Sequence, residues 1–161
     1  MEKGEFLINN NCEIPERITN LTGITVNTIT EKGISLKEAC EIISELLENK
    51  DIILAGYNSD QFDIPFLQSY LSKNGYVVNL MERKKIDVLK LVRQYIEEEL
   101  LPFKFKDGVV TDKHSHKLED VYSTLIANHN LAFHNAEDDV EATKIIFDVI
   151  CDKLRKNGLS L

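Results

Sequence analysis

No stretch of this sequence approaches the roughly 20 apolar residues that cross a bilayer as a helix. The opening Met1-Glu-Lys-Gly has no apolar run behind a basic region, so no signal peptide is expected. Cysteine is scarce: Cys12, Cys40 and Cys151 are far apart, odd in number and without a C-x-x-C pair. That excludes a zinc ribbon and a disulfide framework, and it fits reduced thiols in a cytoplasmic protein. Repeats and low-complexity segments are absent as well. A basic excess is also missing, because the formal charge is −8. Such a balance argues against a protein that holds nucleic acid mainly by neutralising phosphates. It leaves room for an enzyme that carries metal ions on carboxylates and grips only a few nucleotides. Local basic clusters exist at Arg83-Lys84-Lys85, at Lys104 and Lys106, and at Lys113, His114, His116 and Lys117. They read as solvated surface rather than as a binding stripe.

What is there suits one globular domain over residues 1–161, long enough for a real core. Residues 5–8, "EFLI", suggest a short strand, followed by an asparagine-rich turn. "PERITNLTGITVNTI" is loop or short helix, punctuated by Pro15 and Gly23. Ser35 with Glu38 three residues on forms a capping box, and Ala39, Ile42, Ile43, Leu46 and Leu47 follow at helical spacing to about Asn49. "DIILAGY" is a continuous apolar run and predicts a strand buried on both faces. After a polar turn, Phe66, Leu67, Tyr70 and Leu71 predict a helix stopped at Gly75. "YVVNL" or "KKIDVL" offers a further strand. Residues 88–100 predict a helix, 102–115 a polar loop, and Leu118, Val121, Tyr122 and Leu125 another helix. The last helix runs from about Asn135 to Lys156, with Val140, Thr143, Phe147, Ile150 and Leu154 on one stripe. The alternation of strand and helix predicts an α/β domain. Two or three strands are few for that many helices, which points to a sheet lacking members at the front of the chain.

Chemistry concentrates in two places. Asp63 follows the apolar strand and precedes Ile64-Pro65, so it suits a helix N-cap. It also stands at the carboxyl end of a strand, where ligands of open α/β sheets bind. In "FHNAEDDVEATKIIF", Glu137 and Asp138 are ordinary partners of a helix dipole. Asp139 shares a helical face with Ala136, Thr143, Ile146 and Ile150, so it is expected to point inward, where a carboxylate needs a partner or a metal. His134, five residues earlier, reads by itself as a polar loop histidine.

Taken together, these stretches resemble a known family. "GYNSDQFDIPFL" is similar to the second motif, N-x-x-x-F-D, of the DnaQ-like (DEDDh) 3′–5′ exonucleases. "HNAEDD" resembles their third motif, histidine, four residues, aspartate. "HKLEDVYSTL" looks like the helix that precedes it, "ERITNLTGIT" like the I-x-x-L-T-G-I-T segment, and "KKIDVLKLVRQ" like the D-T-L-x-L-A-R segment with Val88 in the threonine's place. The resemblance covers about Glu5 to Phe147, in the family's order.

The resemblance implies an RNase H-like exonuclease fold, a mixed five-stranded sheet flanked by helices. It implies hydrolysis of the 3′-terminal phosphodiester of single-stranded DNA or short RNA, releasing nucleoside monophosphates. It implies two Mg²⁺ or Mn²⁺ ions, about 3.5–4 Å apart, clamping the attacking and leaving oxygens. Asp63 and Asp139 would be metal ligands. His134 would be the general base, a task that suits imidazole because it exchanges its proton near neutrality. Asn58 and Phe62 would position the terminal nucleotide, and Asp87 would serve as support or as a purely structural residue. Association with a DNA polymerase fits a proofreading role; a free-standing enzyme fits equally.

The family's first motif, D-x-E on the first strand, has no match here, and "CEIPE" has the wrong order. The expectation is an N-terminally truncated fold that begins inside the third strand and lacks roughly 20–30 residues of front hairpin. Three explanations follow: a truncated gene product, an inactive nuclease kept for binding, or a partner chain supplying the missing strands. The first is preferred because Asp63, His134 and Asp139 are all intact. Activity of this chain is therefore expected to be weak or nil. The alternative is a non-catalytic module that binds nucleic acid or a protein. A plain helical interaction protein fits less well, given the apolar run 51–57 and the inward Asp139.

Overall fold

The computed structural model describes residues 4–126 and 131–159. In chain order the elements are strand β1 (Ile8–Asn9), helices α1 (Glu16–Thr22) and α2 (Val26–Lys32), strand β2 (Ile34–Ser35), helix α3 (Leu36–Leu46), strand β3 (Leu54–Gly56), helix α4 (Asp63–Lys73), strand β4 (Lys85–Asp87), helix α5 (Val88–Tyr95), strands β5 (Phe103–Lys106) and β6 (Val109–His114), and helices α6 (Leu118–Leu125) and α7 (Ala136–Lys156). Strand and helix alternate as expected. The strands pair only in twos among the described residues, β1 with β2, β3 with β4 and β5 with β6, in place of one mixed sheet. The chain forms two compact units, Met1–Leu54 with Gln61–Lys85, and Ala55–Asp60 with Ile86–Leu161.

In the first unit, β1 and β2 run parallel with Ile8 opposite Ile34. Ser35 caps α3 by accepting from the Glu38 N–H at 3.1 Å, the first bond of the capping box. The core gathers Cys40 and Leu47 with Ile64 and Leu71 of α4 and with Leu80. Leu71 and Leu80 are wholly buried, each worth roughly 1.5–3 kcal/mol. "YVVNL" does not form a strand. The Gln68 side chain takes its backbone instead, donating to the Val78 carbonyl at 2.7 Å and accepting from the Leu80 N–H at 2.7 Å. The apolar run at 51–57 is less sheltered than expected: only Leu54–Gly56 is strand, and Ile53 is 51% exposed. Within β3, Leu54 and Gly56 are half-buried and Ala55 is exposed, so the strand is open on one face.

In the second unit, α5, α6 and α7 pack around Val88, Val92, Val121, Tyr122, Ala142, Ile146, Ile150 and Leu154. The buried stripe of α7 is Ala142, Ile146, Ile150 and Leu154, at strict four-residue spacing. Val140, expected on it, is 67% exposed. The polar loop expected at 102–115 is a β-hairpin. Phe105 pairs with Val110 and Lys106 with Val109, around Asp107 and Gly108 with φ of 51° and 80°. Two successive positive φ values are what a type I′ turn needs, and Asp-Gly supplies them cheaply.

Candidate active site

On the second unit, the residues after β3 form a tight turn closed by one carboxylate. Asp87 is buried at 6% exposure. Its Oδ1 accepts from the backbone N–H groups of Asn58 at 2.9 Å and Leu89 at 3.1 Å, and its Oδ2 from that of Asp60 at 3.2 Å. Three N–H dipoles satisfy the buried charge. Asp87 thereby caps α5 and pins the turn at once, so the structural role is the one it plays here. Asn58 sits at φ 61°, a left-handed conformation that asparagine tolerates well. Gly56 is required beside it, since a Cβ there would lie 2.7 Å from the Ser59 Cβ. Asp60 reaches the Lys90 ammonium at 2.5 Å, and that hydrogen bond holds the ammonium above its ordinary range. Tyr57 donates to the His116 carbonyl at 2.8 Å. Burial pushes its phenol up, and the nearby Asp87 and Asp120 add to the rise, against a lowering by Arg93.

The start of α7 carries the other motif. Asn135 is the N-cap and accepts from the Asp138 N–H at 2.8 Å. The same side chain donates to the Asp138 carboxylate at 2.7 Å. His134 has φ 77°, and its backbone N–H donates to Asp139 Oδ1 at 3.3 Å. The spacing of histidine and aspartate thus has a local cause: the carboxylate folds back over the first turn of its own helix. Asp139 is half-buried, short of a fully interior position. The His134 ring is half exposed, and its Nε2 lies 4.0 Å from Glu119 Oε2 at the start of α6. Glu119 was not expected at the site. Its signal was its place in the "HKLED" segment just upstream of the histidine.

On the first unit, Asp63 is exposed and is the first residue of α4. The N-cap position itself falls on Phe62, with no side-chain cap bond, so the expected capping by Asp63 is not what the helix uses. At the first helical position its charge still favours the helix dipole. Phe62 is 67% exposed. Its ring lies parallel to that of Phe66 at 6.1 Å, and Phe66 meets Tyr70 at 4.6 Å. Phe66, expected inside, is 56% exposed. Aromatic spacing of four residues places all three rings on one outer face of α4.

Among the described residues no group of three or more His, Cys, Asp or Glu side chains is placed to hold a metal ion. Mg²⁺ keeps several waters and needs few carboxylates, whereas a close pair of ions needs carboxylates that serve both. Among the described residues no helix is long and apolar enough to cross a membrane.

Comparison with known proteins points one way. A family model described as exonuclease matches residues 1–147. The PolC-type DNA polymerase III of Mycoplasma genitalium is 28% identical over 157 residues, which is 97% of this chain and 10% of that polymerase. An ExoI/SSB-Ct complex superposes with a TM-score of 0.71 at 18% identity, over 96% of this chain and 34% of that one. The zinc-ion-bound form of an E. coli ExoI–ssDNA complex gives 0.62 at 20% identity, over 82% of this chain and 28% of that one. The fold is therefore an α/β fold similar to that of exonuclease I, built from helices and small sheets, and the chain spans between 10% and 34% of these relatives.

Proposed function

From the premise that this chain belongs to the exonuclease family, whose model takes in residues 1–147, we propose that it takes the 3′ end of single-stranded DNA or short RNA. The observation that carries this is the motif pair in its local geometry: His134, half exposed, tied by its backbone to Asp139 at the mouth of α7. In the hydrolysis proposed, water attacks the terminal phosphorus and the bond to the 3′ oxygen breaks, freeing a nucleoside monophosphate. His134 takes the proton from the attacking water. Asn58, in its pinned turn, and Phe62, with an exposed ring face, position the last nucleotide by contact and stacking. Asp63, at the start of α4, and Asp139, in the first turn of α7, are each proposed as carboxylate ligands for Mg²⁺ or Mn²⁺.

Turnover by these 161 residues alone is expected to be weak or nil, since the family's D-x-E motif, which supplies two of its carboxylates, has no match in this sequence. Binding is expected to survive. The test uses a 5′-labelled oligonucleotide with Mg²⁺ or Mn²⁺. It reads binding by anisotropy and mononucleotide release by electrophoresis, for the natural chain and for Asp139→Asn and His134→Ala. Binding with slow release that both variants abolish supports the exonuclease. Binding without release supports the second reading, a non-catalytic module. Absence of binding to any single strand would sink the exonuclease and leave only a module that binds a protein.

A further inference from the structure

The β5–β6 hairpin, expected to be a featureless polar loop, carries side chains that a loop would not display. Phe103, Phe105, Val109 and Val110 are 54–71% exposed. All four residues of β5, Phe-Lys-Phe-Lys, face solvent. Phe103 pairs with His114 and Phe105 with Val110, with a register shift between the two pairs, and cross-strand partners share a face. The Phe103 ring stacks on His114 at 4.4 Å. His114 is itself anchored, its Nδ1 lying 2.6 Å from the Leu101 carbonyl oxygen. A surface groove along the hairpin is lined by Phe103, Phe105, Lys104, Lys106, Lys113 and Lys117. Four lysines face two aspartates there, Asp112 and Asp120, in a chain whose net charge is −8. The Asp120 carboxylate already accepts from Ser115 Oγ at 2.5 Å.

Lysines on an exposed hairpin have an ordinary use, which is to discourage pairing with another chain. That use does not explain four large apolar side chains left in water beside them. Aromatic faces interleaved with ammonium groups match one class of ligand, a flexible chain of bases and phosphates. Its lining includes Lys117 and Asp120 at the start of α6, and the same helix turn carries Glu119, whose carboxylate lies 4.0 Å from His134 Nε2.

We propose that the β5–β6 hairpin is a second contact for single-stranded nucleic acid: Phe103 and Phe105 stack bases, and Lys104, Lys106, Lys113 and Lys117 take phosphates, upstream of the 3′ nucleotide. This rests on the nucleic-acid reading of the site. Phe105 is the cleanest position to alter, being 71% exposed and remote from the core. Phe105→Ala is expected to weaken binding of a dT oligomer about tenfold. Lys104→Gln with Lys106→Gln should lower the salt slope of binding by about 0.7 for each lysine. Neither change should matter for a dinucleotide, which is too short to reach the hairpin. The full chain is titrated with dT oligomers of increasing length at several salt concentrations, and its oligomeric state is followed by ultracentrifugation. Long-strand affinity that falls in both variants, with dinucleotide affinity unmoved, supports the inference. Unchanged affinity in both variants overturns it while leaving the site reading intact. A shift in oligomeric state without any change in affinity also overturns it, assigning the hairpin to a second copy of the chain. A natural chain that binds no oligomer fails at the earlier step, the nucleic-acid reading itself.

Discussion

Asp87 does its work through other residues' backbones. Removing its carboxylate strands three N–H groups in a buried turn and uncaps α5 together. Asp87→Ala is expected to cost about 2–4 kcal/mol, read as a shift in the urea midpoint. Asp87→Asn, which keeps one acceptor oxygen, should fall between. The same turn carries Tyr57, whose folded phenol lies well above its ordinary value of 10 because it is buried. Such a group adds stability that is complete below pH 10 and is lost as pH rises beyond it, since the unfolded chain releases a proton that the folded one keeps. Urea midpoints measured upward from pH 9 should therefore decline, and Tyr57→Phe should flatten part of the decline. At this scale the sequence was informative about identity and less so about role. The motif residues stood out by type and spacing. That Asp87 pins Asn58 from 29 positions away is a contact no local pattern announces.

Helix α7 was legible almost to the residue. A capping asparagine, an acidic first turn, a basic last turn and a four-residue apolar repeat all agree on its bounds. Asn135→Ala removes the acceptor for the Asp138 N–H and is expected to cost about 1 kcal/mol. Hydrogen exchange should show the loss as faster exchange in the first turn, with the rest of α7 unaffected. The hairpin at 103–114 shows the opposite case. Its polar composition suggests a loop, yet composition is only a correlate of loop. Phe-Lys-Phe-Lys alternation followed by Asp-Gly is a hairpin signal with a mechanism, because that pair reaches the left-handed turn that closes two strands. Of the two stretches offered as a further strand, "KKIDVL" supplies β4 and "YVVNL" does not. Its β-branched pair suits a strand, but Gln68 satisfies the backbone groups that a neighbouring strand would have taken.

Over the whole molecule, two separate cores are closed, one around Leu71 and Leu80 and one around Val92, Val121 and Ile146. The likeness to the exonuclease I fold follows from the comparisons, not from either core alone. The metal question also belongs to this scale, because a paired-ion site needs carboxylates from distant parts of a chain. If Asp139 holds a hydrated ion weakly, Mn²⁺ near its dissociation constant should raise the melting temperature by about 1–3 °C. Asp139→Asn should abolish the rise. A melting temperature indifferent to Mn²⁺ in the natural chain would favour the binding module.

The sequence by itself determined the alternation of strand and helix, the start of α3, the place of α6, the bounds of α7, and the two motifs that mark the family. All of these rest on interactions within about a dozen residues, where capping, periodicity and spacing are physically local. Only the tertiary structure decided that Asp63 leaves the cap position to Phe62, that Val140 and Phe66 face solvent, and that Glu119 meets His134. Those outcomes depend on which surfaces find a partner, and a side chain's partner is chosen by packing across the fold rather than by its neighbours in the chain.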